Sequence, residues 1–154
     1  EIGQSEEWDF QTSLDWHLLQ YKPHKGVQEF IKAINKLYKT EPALHQKQFS
    51  DEGFEWIDYG DSEHSVLVYL RKGNKPKDNL IVACNMTPMP LENYRIGLPK
   101  KGKITQIFNS DDKAFFGTGD FNNEKLTSQA KLWHSRKNST EITIPPLGMV
   151  VFKY

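Results

Sequence analysis

The sequence predicts a mainly β protein: a C-terminal antiparallel β-sandwich preceded by two or three α-helices. Three observations carry that expectation. After position 53, short β-type runs separated by turn residues recur at intervals of roughly 8–12 residues, the spacing of a sandwich or barrel. Two of these runs, Ser65–Leu70 and Leu80–Cys84, are apolar on both faces, as central strands covered twice must be. Before position 47 the apolar residues instead recur at three- and four-residue steps, the period of helices.

Thr12-Ser13-Leu14-Asp15 reads as a helix start, a hydroxyl cap with a carboxylate three residues on. Leu14 and Leu18 share its face, and Pro23 is expected to end it. Val27, Phe30, Ile31, Ile34, Leu37 and Tyr38 then form one apolar stripe, with Glu29, Lys32, Lys36 and Lys39 opposite. Thr40-Glu41-Pro42 breaks this helix, and Pro42 opens a short last turn through Leu44. Strands are expected at Phe54–Ile57, Ser65–Arg71, Leu80–Asn85, Tyr94–Leu98, Lys103–Asn109, Ala114–Phe116, Leu132–His134, Glu141–Ile144 and Met149–Tyr154. Ile142 and Ile144 alternate with Thr143, which predicts one wet face. Asn122–Lys131 is polar and reads as a loop. An amphipathic helix needs a partner surface: either the sandwich itself or a surface absent from this chain. We take the second, because the chain opens at Glu1 with no initiator Met and so reads as processed or as a piece of something longer.

Composition narrows the function. Twenty Lys and Arg balance twenty Asp and Glu, so a broad phosphate-binding surface, and with it nucleic acid as a partner, is not expected. A single Cys rules out an intramolecular disulfide and a Cys-rich zinc site. No apolar run approaches the roughly 18 residues that span a bilayer, and no charged-then-apolar leader opens the chain. The expectation is a cytoplasmic protein without a membrane partner.

The chemistry-bearing residues are sparse. His17, His24, His45, His64 and His134 include no pair at the helical i, i+4 metal spacing, so no metal and no cofactor is expected. Cys84 lies in an apolar strand run and reads as an inert small hydrophobe. Glu6-Glu7, Asp51-Glu52 and Asp111-Asp112 are neighbours in sequence, whereas glycoside chemistry needs two carboxylates facing one bond across a cleft; they read as solvated loop charges. Asn85-Met86-Thr87 and Asn138-Ser139-Thr140 match a glycosylation pattern that matters only on a secretory route. Trp16, near Leu18 and Leu19, reads as core. Trp8, in polar Glu6-Glu7-Trp8-Asp9, reads equally as a loop residue and as a sugar-stacking site, and Trp56 reads as core first and site second.

Several blocks occur in a recognisable order: Gly3-Gln4, Glu7-Trp8, Ser13–Leu19, Gly26-Val27-Gln28, Pro42–His45, Gly53–Ile57, Val82–Asn85, Tyr94-Arg95 and Pro145-Pro146-Leu147. The chain thereby resembles the C-terminal part of bacterial 1,4-α-glucan (glycogen) branching enzymes, of the α-amylase superfamily, over essentially its whole length. The resemblance implies that residues 1–46 are the terminal loop and helices of a catalytic (β/α)8 barrel, 47–52 a linker, and 53–154 the C-terminal β-sandwich. It implies retaining transfer of α-1,4-glucan segments to 6-hydroxyls, with every catalytic carboxylate upstream of Glu1. Catalytic residues are therefore expected to be none here, and the chain alone is expected to be inactive. Trp8, Asp9 and Trp56 are the glucan-binding candidates. The implied partners are α-glucan and the missing barrel, with self-association through Val27, Phe30, Ile31, Ile34 and Leu37. The alternative is a stand-alone carbohydrate-binding β-sandwich module.

Overall fold

In a computed structural model, which describes residues 1–154, the N-terminal 15 residues are irregular and a short 3₁₀ turn follows at Trp16–Gln20. No helix starts at Thr12–Asp15: the Asp15 backbone N–H donates to the Gln4 side chain at 3.1 Å, which diverts the cap. Helix α1 runs Lys22–Thr40, so Pro23 sits in its first turn and opens the helix that it was expected to precede. A first-turn proline is tolerated because its missing N–H would have had no intrahelical partner. Pro42–Leu44 is the expected short turn.

Eight strands follow: β1 (Phe54–Asp58), β2 (Val66–Arg71), β3 (Leu80–Asn85), β4 (Leu91–Leu98), β5 (Lys103–Asn109), β6 (Leu126–Thr127), β7 (Asn138–Ile144) and β8 (Gly148–Lys153). They form a six-stranded sheet in the order β1-β2-β3-β8-β5-β6 and a two-stranded sheet of β4 and β7, with every pair antiparallel. Two expected strands are absent. Lys113–Phe115 is a 3₁₀ turn, and residues 132–134 enter a tight turn bridged between Trp133 and Arg136. The loop expected at 122–131 contains the two-residue strand β6.

The main core lies between the sheets. Val66, Val68, Leu70, Ile81, Ala83, Val150 and Phe152 of the large sheet meet Ile96, Leu98, Ile142 and Ile144 of the small one. Strand β3 alternates cleanly: Ile81 and Ala83 face this core, while Leu80 and Val82 face the other side of the sheet. On that outer side Leu80, Val82, Phe108 and Val151 are buried beneath Phe30, Ala33, Ile34 and Leu37 of α1. The helix stripe therefore has its partner within the chain, which corrects the expectation of a missing one. Phe30, Ile34 and Leu37 are spent on this contact, leaving Val27 exposed and Ile31 on the flank of the helix as the remainder of the proposed self-association face. Phe30 packs on Phe108 and Phe115 at ring-centroid distances of 5.9 and 5.6 Å. The result is three layers: small sheet, large sheet, helix.

Candidate functional site

The irregular N-terminal segment folds back on α1 and leaves a groove of about 440 Å³ between them. Ile2 anchors the segment: it is buried, and its carbonyl accepts from the His24 ring Nδ1–H at 2.9 Å. The groove wall is apolar at Ile2, Trp8, Leu14, Trp16 and Ile31, and its polar rim includes Gln4, Glu6, Gln28, Lys32 and Asn35. Two indoles that remain 72% (Trp8) and 55% (Trp16) exposed, ringed by amide and charged groups, can cover the C–H surface of a sugar while the rim bonds its hydroxyls. Trp8 thus lines this groove. Trp16, read from sequence as core, stands beside it on the same wall.

The other two candidates lie elsewhere. Asp9 does not line the groove; its Oδ1 accepts from the Gln11 N–H at 2.8 Å and its carbonyl from the Thr12 N–H at 3.2 Å, so it shapes a turn. Trp56 on β1 is 45% exposed and stands edge-on to Phe54 and Tyr69, with Tyr59 beside it. This aromatic cluster shares no lining residue with the groove, so the structure does not join Trp56 to Trp8.

Three of the adjacent carboxylates, Asp111, Asp112 and Glu52, are held in local contacts. Asp111 accepts from the Thr118 hydroxyl and from the Thr118 and Gly119 backbone N–H groups, and Asp112 accepts from the Ala114 N–H. Glu52 is held below the ordinary glutamate value by a hydrogen bond from Lys47. Burial pushes the Cys84 thiol pKa up, which favours the protonated form. Asn85 is buried, and its amide donates to the Met89 and Pro145 carbonyls at 2.7 and 3.1 Å, so that glycosylation pattern is a folded strand end closed to modification. No group of His, Cys, Asp and Glu converges in a way that could hold a metal ion. No helix is long and apolar enough to cross a membrane.

Sandwich and helix together define a class. The model for the alpha amylase C-terminal all-beta domain matches residues 56–154, and the chain belongs to that family. The matching relatives narrow the class further. Over 154 residues the chain is 46% identical to "1,4-alpha-glucan branching enzyme GlgB" of Aquifex aeolicus (strain VF5), covering 100% of this chain and 24% of the relative. It is 43% identical to the protein of the same name from Marinobacter nauticus, covering 99% of this chain and 24% of that protein. The equivalent from Nitrosococcus oceani is 46% identical over 99% of this chain and 20% of its own length. The chain thus spans between a fifth and a quarter of the length of the relatives it matches, on their C-terminal side. Among solved structures, an alpha-amylase from H. orenii aligns with 81% of this chain and 20% of its own at 18% identity and a TM-score of 0.49.

Proposed function

We propose that this chain is the C-terminal portion of a 1,4-α-glucan branching enzyme, which moves α-1,4-glucan segments onto 6-hydroxyls to form the α-1,6 branches of glycogen. One observation carries the reading. The likeness to branching enzymes runs through residues 1–55 as well as through the 56–154 sandwich that the α-amylase C-terminal family describes. A sandwich borrowed by an unrelated protein would not bring the preceding groove and helix with it.

In this reading residues 1–46 complete the catalytic barrel, 47–52 link, and 53–154 form the sandwich. The reaction is the retaining two-carboxylate scheme with a sugar hydroxyl in place of water: a carboxylate attacks, an acid protonates the leaving glucan, and the covalent glucan passes to the acceptor. Those carboxylates belong to the part of the enzyme outside this chain. The parts played here are structural and positional. Helix α1, clamped to the large sheet by Phe30, Ile34 and Leu37, fixes the groove relative to the sandwich. Trp8 and Trp16 offer a glucan chain a stacking wall at the edge of the barrel, where barrel enzymes build their sites.

The test compares the full-length protein with the 154-residue chain on amylose. New α-1,6 linkages are read as short chains released by a debranching enzyme. The full-length protein is expected to branch and the 154-residue chain to be silent. A full-length protein that only hydrolyses amylose would refute the assignment.

A further inference from the structure

Away from the groove, five titratable side chains from four places in the chain meet at one edge of the sandwich. The Tyr94 hydroxyl, on β4, donates to Asp61 at 2.8 Å and lies 3.4 Å from Asp58 at the end of β1. His64 reaches Asp61 through both its backbone N–H (3.0 Å) and its ring Nδ1 (2.9 Å). His134, in the turn after β6, stands with Nε2 3.3 Å from Asp58, and its Nδ1 accepts from the Gly97 N–H at 3.3 Å. That pair of contacts fixes a neutral ring with the proton on Nε2, and burial correspondingly lowers the His134 pKa. For Asp61, burial pushes the pKa up, but the hydrogen bonds from His64 and Tyr94 outweigh it and leave the carboxyl below its ordinary value. The wall is internally satisfied before any ligand arrives.

Above it is an open depression of about 410 Å³ lined by Tyr94, His64, Trp133, His134, Arg95 and Glu141, among others. Its rim is built from unusual backbone. Seven non-glycine residues have positive φ; Asn93 (55°) and His134 (47°) line the depression, while Ser65 (50°) and Ser135 (57°) immediately adjoin lining residues. A bulge between Leu91 and Tyr94 aims Tyr94 into it. The 133–136 turn lies so close on β4 that a Cβ on Gly97 would fall 2.5 Å from the Trp133 carbonyl oxygen. Strained positions persist only where the surroundings hold them, and they gather at ligand clamps.

The charges say what would fit. Arg95 pairs with Glu141, whereas Asp58 faces the neutral His134 ring and Asp61 bonds to His64; the remaining charged lining groups, Glu92 and Lys131, are of opposite sign. With the His134 ring neutral, carboxylates outnumber fixed cations around the depression, so an anion is disfavoured. The Trp133 indole, 42% exposed, beside carboxylate and guanidinium groups already fixed in place, suits a neutral ligand with C–H faces and vicinal hydroxyls. We propose that this depression is a second, sandwich-borne binding site for a short α-1,4-glucan segment, separate from the N-terminal groove. The choice of glucan rests on the branching-enzyme reading; the neutral, polyhydroxyl character of the ligand rests on the site.

The experiment is a maltoheptaose titration of the ¹⁵N-labelled 154-residue chain. Shifts are expected at the Trp133 indole N–H and at the Arg95 and Gly97 amides. They should persist in Trp8→Ala, and in Trp133→Ala the affinity at this site should fall about tenfold. Trp133→Phe, which keeps an aromatic ring, should recover part of the affinity and guards against misfolding of the alanine variant. Shifts confined to the Trp8 and Trp16 groove, no shifts at all, shifts given by inorganic phosphate and not by maltoheptaose, or an unchanged affinity in Trp133→Ala would each overturn the proposal. Because branching by the full-length protein is read separately, either idea can fail without the other.

Discussion

Gly26 reverses the usual rule for glycine in a helix. At an ordinary helical position, alanine is more favourable than glycine by about 1 kcal/mol. Gly26, however, is buried where α1 crosses the 113–116 turn, and a Cβ there would fall 2.6 Å from the Phe115 carbonyl oxygen and 2.7 Å from the Phe116 Cβ. Both obstacles are close to the backbone and cannot swing aside, so the helix must retreat by several tenths of an ångström. Overpacking of this kind costs about 1–3 kcal/mol. The retreat also loosens Phe30 from Phe108 and Phe115, and aromatic pairs of that geometry contribute about 0.5–1.5 kcal/mol. Set against the propensity gain, Gly26→Ala should destabilise the chain by about 1–2 kcal/mol. Urea unfolding followed by circular dichroism reads this as a midpoint lower by about 0.5–1 M. Asn35→Ala, exposed on the same helix, is the control and should gain a few tenths of a kcal/mol. If Gly26→Ala matched or exceeded the parent in stability, the docking of α1 on its own sandwich would be wrong.

Three further outcomes follow from the same structure. Asn85→Ala leaves the Met89 and Pro145 carbonyls without their donor, and chemical denaturation should register a loss of about 1–3 kcal/mol. Because the folded-state pKa of His134 is depressed, the unfolded chain takes up that proton first as pH falls; the stability it contributes is present above about pH 6.5 and is lost as pH drops toward the folded-state value. His134→Gln should therefore show a shallower fall in urea midpoint between pH 7.5 and 5.5 than the parent, and equal slopes would count against the buried neutral ring. Trp16→Ala should weaken retention of the chain on a glycogen-containing native gel to about the extent that Trp8→Ala does; a loss with Trp8→Ala alone would remove Trp16 from the groove wall.

What the sequence revealed depended on whether a signal was local. Leu80–Asn85 was legible residue for residue because a strand buried on both faces leaves a continuous apolar run, and β3 has the main core on one side and α1 on the other. The α1 stripe was legible from its period, but the identity of its partner was not, since periodicity marks an apolar face without saying what covers it. Pro23 was misread because proline both closes one segment and suits the first turn of the next. Ala114-Phe115-Phe116 was misread because three apolar residues fit a strand and a 3₁₀ turn equally, and the turn is selected by Asp112 capping the Ala114 N–H. Trp16 looked like core beside Leu18 and Leu19, but the 3₁₀ turn rotates it toward the groove. The Tyr94 cluster escaped notice because its members are brought together by strand pairing. Its trace in the sequence is Asp58, Asp61 and His64 at three-residue steps, a spacing that matches neither adjacent carboxylates nor a helical metal pair.

Under the proposed function, this chain completes a branching enzyme and is inert without the remainder. The most direct measurement expresses the upstream portion of the full-length protein and the 154-residue chain separately, then assays each alone and both mixed for α-1,6 linkages formed in amylose. Silence from the 154-residue chain, little or no activity from the upstream portion, and recovery on mixing are the expected results. Branching by the 154-residue chain alone, or full activity of the upstream portion without it, would contradict the account.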